Sequence, residues 1–145
     1  MNKRYAIFNM DGALSLPGAG QTPPRPEAQA YLRQLKARGV TLCAVTTAAR
    51  PLAQQRLSLL GLEDCFSRLF SCESYGVSKE QADIYWIAAD YMGAFPDEIA
   101  VFENSLHGVK TAKSAGFYTV GMREQSDSPG WEALAALADE TIAFA

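Results

Sequence analysis

Long apolar runs are missing from this chain, and cysteine, histidine and surplus positive charge are scarce. No stretch approaches the roughly 20 apolar residues that a membrane-spanning helix needs. The N-terminal Met1-Asn2-Lys3-Arg4 is basic, but Asn9 and Asp11 interrupt the apolar run behind it, so that run reads as a buried strand rather than a secretory signal. The net charge is −3. It gives no reason to expect nucleic acid or an anionic membrane as a partner. Cys43, Cys65 and Cys72 are odd in number and show no spacing of two close pairs. They read as reduced thiols of a cytoplasmic protein, with Cys43 as plain core. No internal repeat and no low-complexity segment is present. What remains is ordinary: 48% apolar and 20% charged residues in 145. That composition fits one globular domain over 1–145, long enough to bury about two-thirds of its unfolded surface.

The stretch Tyr5-Ala6-Ile7-Phe8-Asn9-Met10-Asp11-Gly12-Ala13-Leu14 organises the chain. Its apolar start suits a strand buried on both faces of a parallel sheet. Asn9 and Asp11 then fall at the strand's carboxyl end, where open α/β sheets place their ligands. Gly12 lets the backbone turn sharply behind them.

Ser15 to Pro26 is rich in Gly and Pro and reads as a long surface loop. Gly18 and Gly20 do not complete a dinucleotide fingerprint. Ala28, Tyr31, Leu32 and Leu35 recur at helical spacing up to Gly39, a C-cap. Val40 to Val45 is a second strand, ending in Thr46-Thr47. Pro51 suits the first turn of a helix with Ala53, Leu57 and Leu60 on one face. Phe66 to Ser71 is a third short strand. Lys79 to Met92 predicts a helix with Ile84, Ile87, Ala88 and Tyr91 inward, stopped by Gly93. Ile99 to Phe102 is a fourth strand running into Glu103-Asn104-Ser105, and a helix follows to Ala115. Tyr118 to Gly121 is a fifth strand, Trp131 to Leu137 a short helix, and Thr141 to Ala143 a marginal sixth strand. Strands alternating with helices predict a three-layer α/β/α fold, a doubly wound parallel sheet with five main strands.

In such a sheet one rim collects Asn9 and Asp11 from the first strand and Thr46 from the second. Glu103 and Asn104 come from the fourth, and Lys79 opens the helix after the third. An ammonium and a hydroxyl suit phosphate oxygens, and carboxylates are the hard ligands Mg²⁺ prefers. Each residue alone is ordinary for a strand end or helix start. Their shared rim is what points to a site. His107 reads as a surface residue, and Trp86 and Trp131 as packing residues on helices.

Four segments together resemble the haloacid dehalogenase (HAD) superfamily of phosphohydrolases, over about Tyr5 to Met122. They are Ile7-Phe8-Asn9-Met10-Asp11-Gly12-Ala13, Ala44-Val45-Thr46-Thr47, Val77-Ser78-Lys79-Glu80-Gln81-Ala82-Asp83-Ile84-Tyr85, which lacks both prolines of the family's form, and Val101-Phe102-Glu103-Asn104-Ser105-Leu106-His107-Gly108. Ala112-Lys113-Ser114-Ala115-Gly116-Phe117 also fits the family's form. The resemblance implies a nucleophile at position 9, a general acid/base at Asp11, and phosphate contacts from Thr46 and Lys79. It also implies Mg²⁺ held at position 9, at the Asp11 backbone carbonyl and at position 104, beside Glu103.

This chain departs from the family at two of those positions. The family's nucleophilic Asp is Asn9 here, and its metal-ligating Asp is Asn104. An amide oxygen is a far poorer nucleophile than a carboxylate, so aspartyl-phosphate formation lacks its starting group. A hard cation loses two charged ligands as well and would lean on Glu103, Asn104, one carbonyl and water. The expectation is a phosphatase scaffold that is very weak or inactive, with Mg²⁺ weak or absent. The alternative is a non-catalytic pseudophosphatase, a module binding a phosphorylated small molecule or a protein. Neither family insertion point holds more than a loop, Ser15 to Pro26 or Cys72 to Ser78, so the chain reads as capless, with room for a homo-oligomer. A phospho-accepting receiver domain has similar length, but it places its Thr and Lys after later strands than this chain does.

Overall fold

The computed structural model describes residues 1–11, 26–123 and 130–144. The expected Gly- and Pro-rich loop, with Gly12, Gly18 and Gly20, lies outside the described residues apart from Pro26. Six strands form one sheet: β1 (Tyr5–Asn9), β2 (Thr41–Thr46), β3 (Arg68–Ser71), β4 (Ile99–Glu103), β5 (Tyr118–Arg123) and β6 (Glu140–Ala143). The order across the sheet is β3-β2-β1-β4-β5-β6, and every neighbouring pair is parallel. The helices are α1 (Pro26–Ala37), α2 (Arg50–Leu59), α3 (Cys72–Tyr75), α4 (Asp83–Met92), α5 (Leu106–Ser114) and α6 (Trp131–Leu137).

Strand alternation divides the core into two layers. Ala6, Phe8, Leu42, Ala44 and Phe102 face Leu32 and Leu35 of α1 and Ala53 and Leu57 of α2. Ile7, Cys43, Val45 and Val101 face Ile84, Tyr85 and Ala88 of α4 and Ala112 of α5. Phe8 and Phe102 are fully buried and stack with ring centroids 5.6 Å apart. Burial of each such side chain contributes about 1.5–3 kcal/mol. The three cysteines are free and buried. Burial pushes the Cys43 thiol up to about 12, as expected of a core residue. Among the described residues no helix is long and apolar enough to cross a membrane.

Several boundaries differ from the sequence expectation. The marginal sixth strand is a paired one, because Gly121, Met122 and Arg123 extend β5 far enough to meet Thr141, Ile142 and Ala143. The third strand starts at Arg68 rather than Phe66, since a 3₁₀ turn at Glu63–Cys65 takes up the approach. Cys72–Tyr75, expected as loop, closes one helical turn on Gly76. Lys79 does not open a helix: the Ser78 hydroxyl accepts from the Glu80 N–H, forming a turn, and α4 begins at Asp83. The buried face of α4 is Ile84, Tyr85, Ala88 and Ala89, with Ile87 half-buried and Tyr91 exposed. Trp86 is not packed inside either, with 52% of its surface exposed.

β1 lies between β2 and β4, so the winding reverses direction beside it. In open parallel sheets that reversal leaves a crevice at the strands' carboxyl ends. Asn9, Thr46 and Glu103, the last residues of β1, β2 and β4, are therefore brought to one place.

Candidate active site

Register explains the central contact. Ile7 pairs with Val101, and both belong to the layer beneath α4 and α5. Two residues further along each strand, alternation returns Asn9 and Glu103 to that same face. Both are almost wholly buried, Asn9 at 3% and Glu103 at 0% exposure. Asn9 Nδ2 donates to Glu103 Oε2 at 3.1 Å and to Asn104 Oδ1 at 3.0 Å, with the Asp11 carbonyl oxygen at 3.4 Å. Asn9 Oδ1 in turn accepts from the Asp11 N–H at 3.1 Å, and Asn104 Nδ2 donates to the Asp11 carbonyl at 2.9 Å. Three oxygens from two strand ends thus converge on one amide nitrogen.

Glu103 is a buried carboxylate held by three donors. Its Oε2 takes the Asn9 amide, and its Oε1 takes the Lys79 ammonium at 2.6 Å and the Tyr85 hydroxyl. An ionised group in that position needs such compensation to remain charged. Tyr85 is fully buried. Burial first, and then the Glu103 charge, raise its phenol pKa, so it stays a donor. The first turn of α5 presses on the same carboxylate. A side chain on Gly108 would place its Cβ 2.5 Å from Glu103 Cδ and Oε2. Ser105 caps that turn by accepting from the Gly108 N–H at 3.0 Å.

Asp11, half-buried just beyond β1, bridges to the end of β2. Its Oδ1 accepts from Thr46 Oγ1 at 2.5 Å, and its Oδ2 accepts from the Thr47 N–H and Oγ1 at 2.9 and 2.8 Å. Thr46 Oγ1 also accepts from the Ala48 N–H at 3.0 Å, which fixes its rotamer.

Asn9, Asp11, Thr46, Lys79, Glu103 and Asn104 therefore meet on one rim. His107 lies apart on exposed α5 surface, with Nε2 3.4 Å from Glu80 Oε2. Trp131 stacks beneath the Arg123 guanidinium at 5.3 Å. Two contributors were not singled out from the sequence. Thr47 follows the strand-ending Thr46 directly, and the Asp11 carboxylate needed a second donor. Tyr85 was hidden by a choice of helical face. An apolar set at 84, 85, 88 and 89 fits the same periodicity as 84, 87, 88 and 91 and would have found it.

Among the described residues no group of three or more His, Cys, Asp and Glu side chains could hold a metal ion. Around Asn9 the oxygen donors are two amides, one backbone carbonyl and Glu103, whose charge Lys79 already balances. This donor set does not fit tight binding of Mg²⁺, which calls for carboxylates with charge to spare.

A doubly wound parallel sheet with a polar cluster at its switch point defines the class: a three-layer α/β core of Rossmann type. The family model for haloacid dehalogenase-like hydrolases matches residues 13–116, and the chain belongs to that family. It is 31% identical over 130 residues to validoxylamine A 7'-phosphate phosphatase from Streptomyces hygroscopicus subsp. limoneus, a match covering 90% of this chain and 55% of that one. It is 30% identical over 115 residues to a bifunctional riboflavin kinase/FMN phosphatase from Arabidopsis thaliana, covering 77% of this chain and 28% of that one. In these matches the chain spans from about a quarter to just over half the length of its curated relatives. Among solved structures, a HAD family hydrolase from Deinococcus radiodurans R1 with bound phosphate and sodium superposes with a TM-score of 0.77 at 17% identity. That superposition covers 97% of this chain and 91% of the other.

Proposed function

We propose that this protein is a phosphatase scaffold of the HAD family whose hydrolytic chemistry is lost or reduced to a trace. One observation carries the reading. Asn9, at the position the family gives its nucleophile, turns its amide nitrogen toward Glu103, Asn104 and the Asp11 carbonyl. The group that would attack phosphorus instead ties the oxygen atoms around it together.

Charge supports the same reading. Asp11 and Glu103 against Lys79 leave the rim one negative charge. Relative to the family pattern, Asn9 and Asn104 remove two negative charges, as many as a divalent cation would neutralise. Two amides in place of two carboxylates, together with loss of a divalent cation, would be electrostatically one change.

Of the two non-catalytic roles open to such a scaffold, binding a phosphorylated ligand or binding a protein, the geometry favours the second. A phosphate would have to displace Asp11 from Thr46 and Thr47 and Glu103 from Lys79. The chain is then a pseudophosphatase module with no cap inserted in its core, working through its surface in the cytoplasm.

Hydrolysis of an aryl phosphate with and without Mg²⁺ tests this, run beside the Asn9→Asp, Asn104→Asp double variant. The expected result is turnover by the double variant alone. Mg²⁺-dependent turnover by the unaltered protein overturns the reading. Phosphate-induced shifts of the Thr46 and Thr47 amide resonances would instead establish the phospho-ligand role.

A further inference from the structure

The two most exposed aromatic side chains among the described residues lie on α4 and on the turn behind it. Trp86 is 52% exposed, and Phe95 is 75% exposed. Two hollows adjoin, with Trp86 forming the ridge between them. The first, of about 420 Å³, is lined by Ala82, Trp86, Lys110, Thr111 and Ala115 among others and is mostly apolar. The second, of about 360 Å³, is lined by Trp86, Ala89, Asp90, Gly93, Phe95 and Pro96.

Phe95 stands on a pinned backbone. Its N–H donates to Glu98 Oε1 at 2.9 Å, and its carbonyl accepts the Glu98 N–H at 2.9 Å. Trp86 is held in the middle of α4. Two large aromatic side chains on rigid supports lose little conformational entropy when covered.

The charges of the two hollows are opposite. The first carries Lys110 and His107, the latter beside Glu80. The second carries Asp90 and no basic residue. Among the described residues, neither Lys110 nor the Asp90 side chain has an ion-pair partner. A surface with an unpaired cation at one end, an unpaired anion at the other and an aromatic ridge between them is complementary to itself turned by a two-fold axis. A two-fold interface requires that kind of pairing, residue i on j and j on i.

We propose that the Trp86–Phe95 face is the interface of a homodimer, with a second copy of this chain as its occupant. Phe95 of each copy fills the Ala82–Trp86–Ala115 hollow of the other, and Lys110 of each faces Asp90 of the other. The proposal is independent of the chemistry at the rim, which lies at the strands' carboxyl ends.

Sedimentation velocity of the full chain over a micromolar concentration series tests it. The unaltered protein forms a dimer. Lys110→Glu and Asp90→Lys each raise the dimer dissociation constant by at least about tenfold, as expected for reversal of a pairing charge. The double variant Lys110→Glu, Asp90→Lys recovers to within about threefold of the original, because the pairing is restored with its sign inverted. Phe95→Ser is monomeric. Arg33→Glu, which changes net charge by the same amount at an exposed position of α1, on the other side of the sheet from α4, leaves dimerisation unchanged. Circular dichroism establishes that each variant is folded. A protein that is monomeric at every concentration overturns the proposal and leaves the face to a different partner. A dimer indifferent to the single reversals, or one not rescued by the double variant, overturns it equally.

Discussion

The side chains of Asn9 and Asn104, from the ends of β1 and β4, are hydrogen-bonded to each other at 3.0 Å, Asn9 Nδ2 donating to Asn104 Oδ1. The two departures from the family pattern are therefore one structural unit. An aspartate at position 9 would set an oxygen where a nitrogen now donates, about 3 Å from Glu103 Oε2 and from Asn104 Oδ1.

A stability asymmetry follows from that contact. Asn9→Asp should cost about 2–4 kcal/mol in the absence of divalent cation, since it leaves a buried charge facing acceptors. Asn104→Asp should cost less, because Asn9 can still donate to it while the 2.9 Å bond to the Asp11 carbonyl is lost. The double variant should gain a Mg²⁺-dependent rise in melting temperature that the unaltered protein lacks, growing with cation concentration as binding linkage requires. Differential scanning calorimetry with EDTA and with added Mg²⁺ reads all three. A Mg²⁺ response in the unaltered protein would contradict the donor-set argument.

Lys79 is a structural counter-ion here, which leads to a different expectation from a phosphate-binding lysine. Lys79→Met should destabilise by about 3 kcal/mol by stranding the buried Glu103 carboxylate. Tyr85→Phe should cost about 1–2 kcal/mol through loss of a hydrogen bond to a charged acceptor. Adding Glu103→Gln to Lys79→Met should return part of the loss, so a double-mutant cycle by urea denaturation should give a clear coupling energy. A lysine that served only an absent ligand would show none.

Most of the scaffold was legible in the chain because its strands are continuous apolar runs, each followed by a polar break, as at Phe8-Asn9 and Phe102-Glu103. The rim was legible for the same reason, since a parallel sheet gathers its strand ends. What periodicity could not show was pairing. Position 103 looked like a candidate metal ligand because an acid after a strand is exposed in a linear reading. Only the register of β1 on β4, with α4 above them, shows that it is buried between Asn9, Lys79 and Tyr85. The boundary at Lys79 was missed because nothing in Ser78-Lys79-Glu80 disfavours helix, whereas the Ser78 hydroxyl closes a turn there. Trp86 was assigned to packing by residue type. Its exposure depends on which side of α4 the sheet takes, and Tyr85 and Ala89 decide that.

Gly108 separates packing from propensity. In an exposed helix, replacing Gly by Ala would stabilise by about 1 kcal/mol. Here the new methyl would sit 2.5 Å from the Glu103 carboxylate, and either that group or the first turn of α5 must shift. Gly108→Ala should therefore destabilise, by about 1–3 kcal/mol as for overpacked cores. The sign of the change in denaturation midpoint settles it, and stabilisation would show that α5 does not rest on Glu103.

Asp139 ties β6 to the sheet, and its acidity predicts how that tie fails. Its carboxylate accepts from the Thr119 N–H and hydroxyl at 2.8 and 3.0 Å and from Lys113 Nζ at 3.1 Å. Partial burial alone would raise its pKa, but these donors outweigh it and hold the value below that of an ordinary aspartate. The folded state therefore releases this proton more readily than the unfolded chain. The resulting stability is fully present above the unfolded value of about 3.9. It is lost as the pH falls from there through the lower folded value. Solvent screening at this partly exposed site keeps the effect small. Asp139→Asn should lower stability at neutral pH and flatten the decline below about pH 4. Urea midpoints measured from pH 7 down to pH 3 would show the two curves converging at the acid end. Parallel curves would mean that Asp139 holds β6 through shape rather than charge.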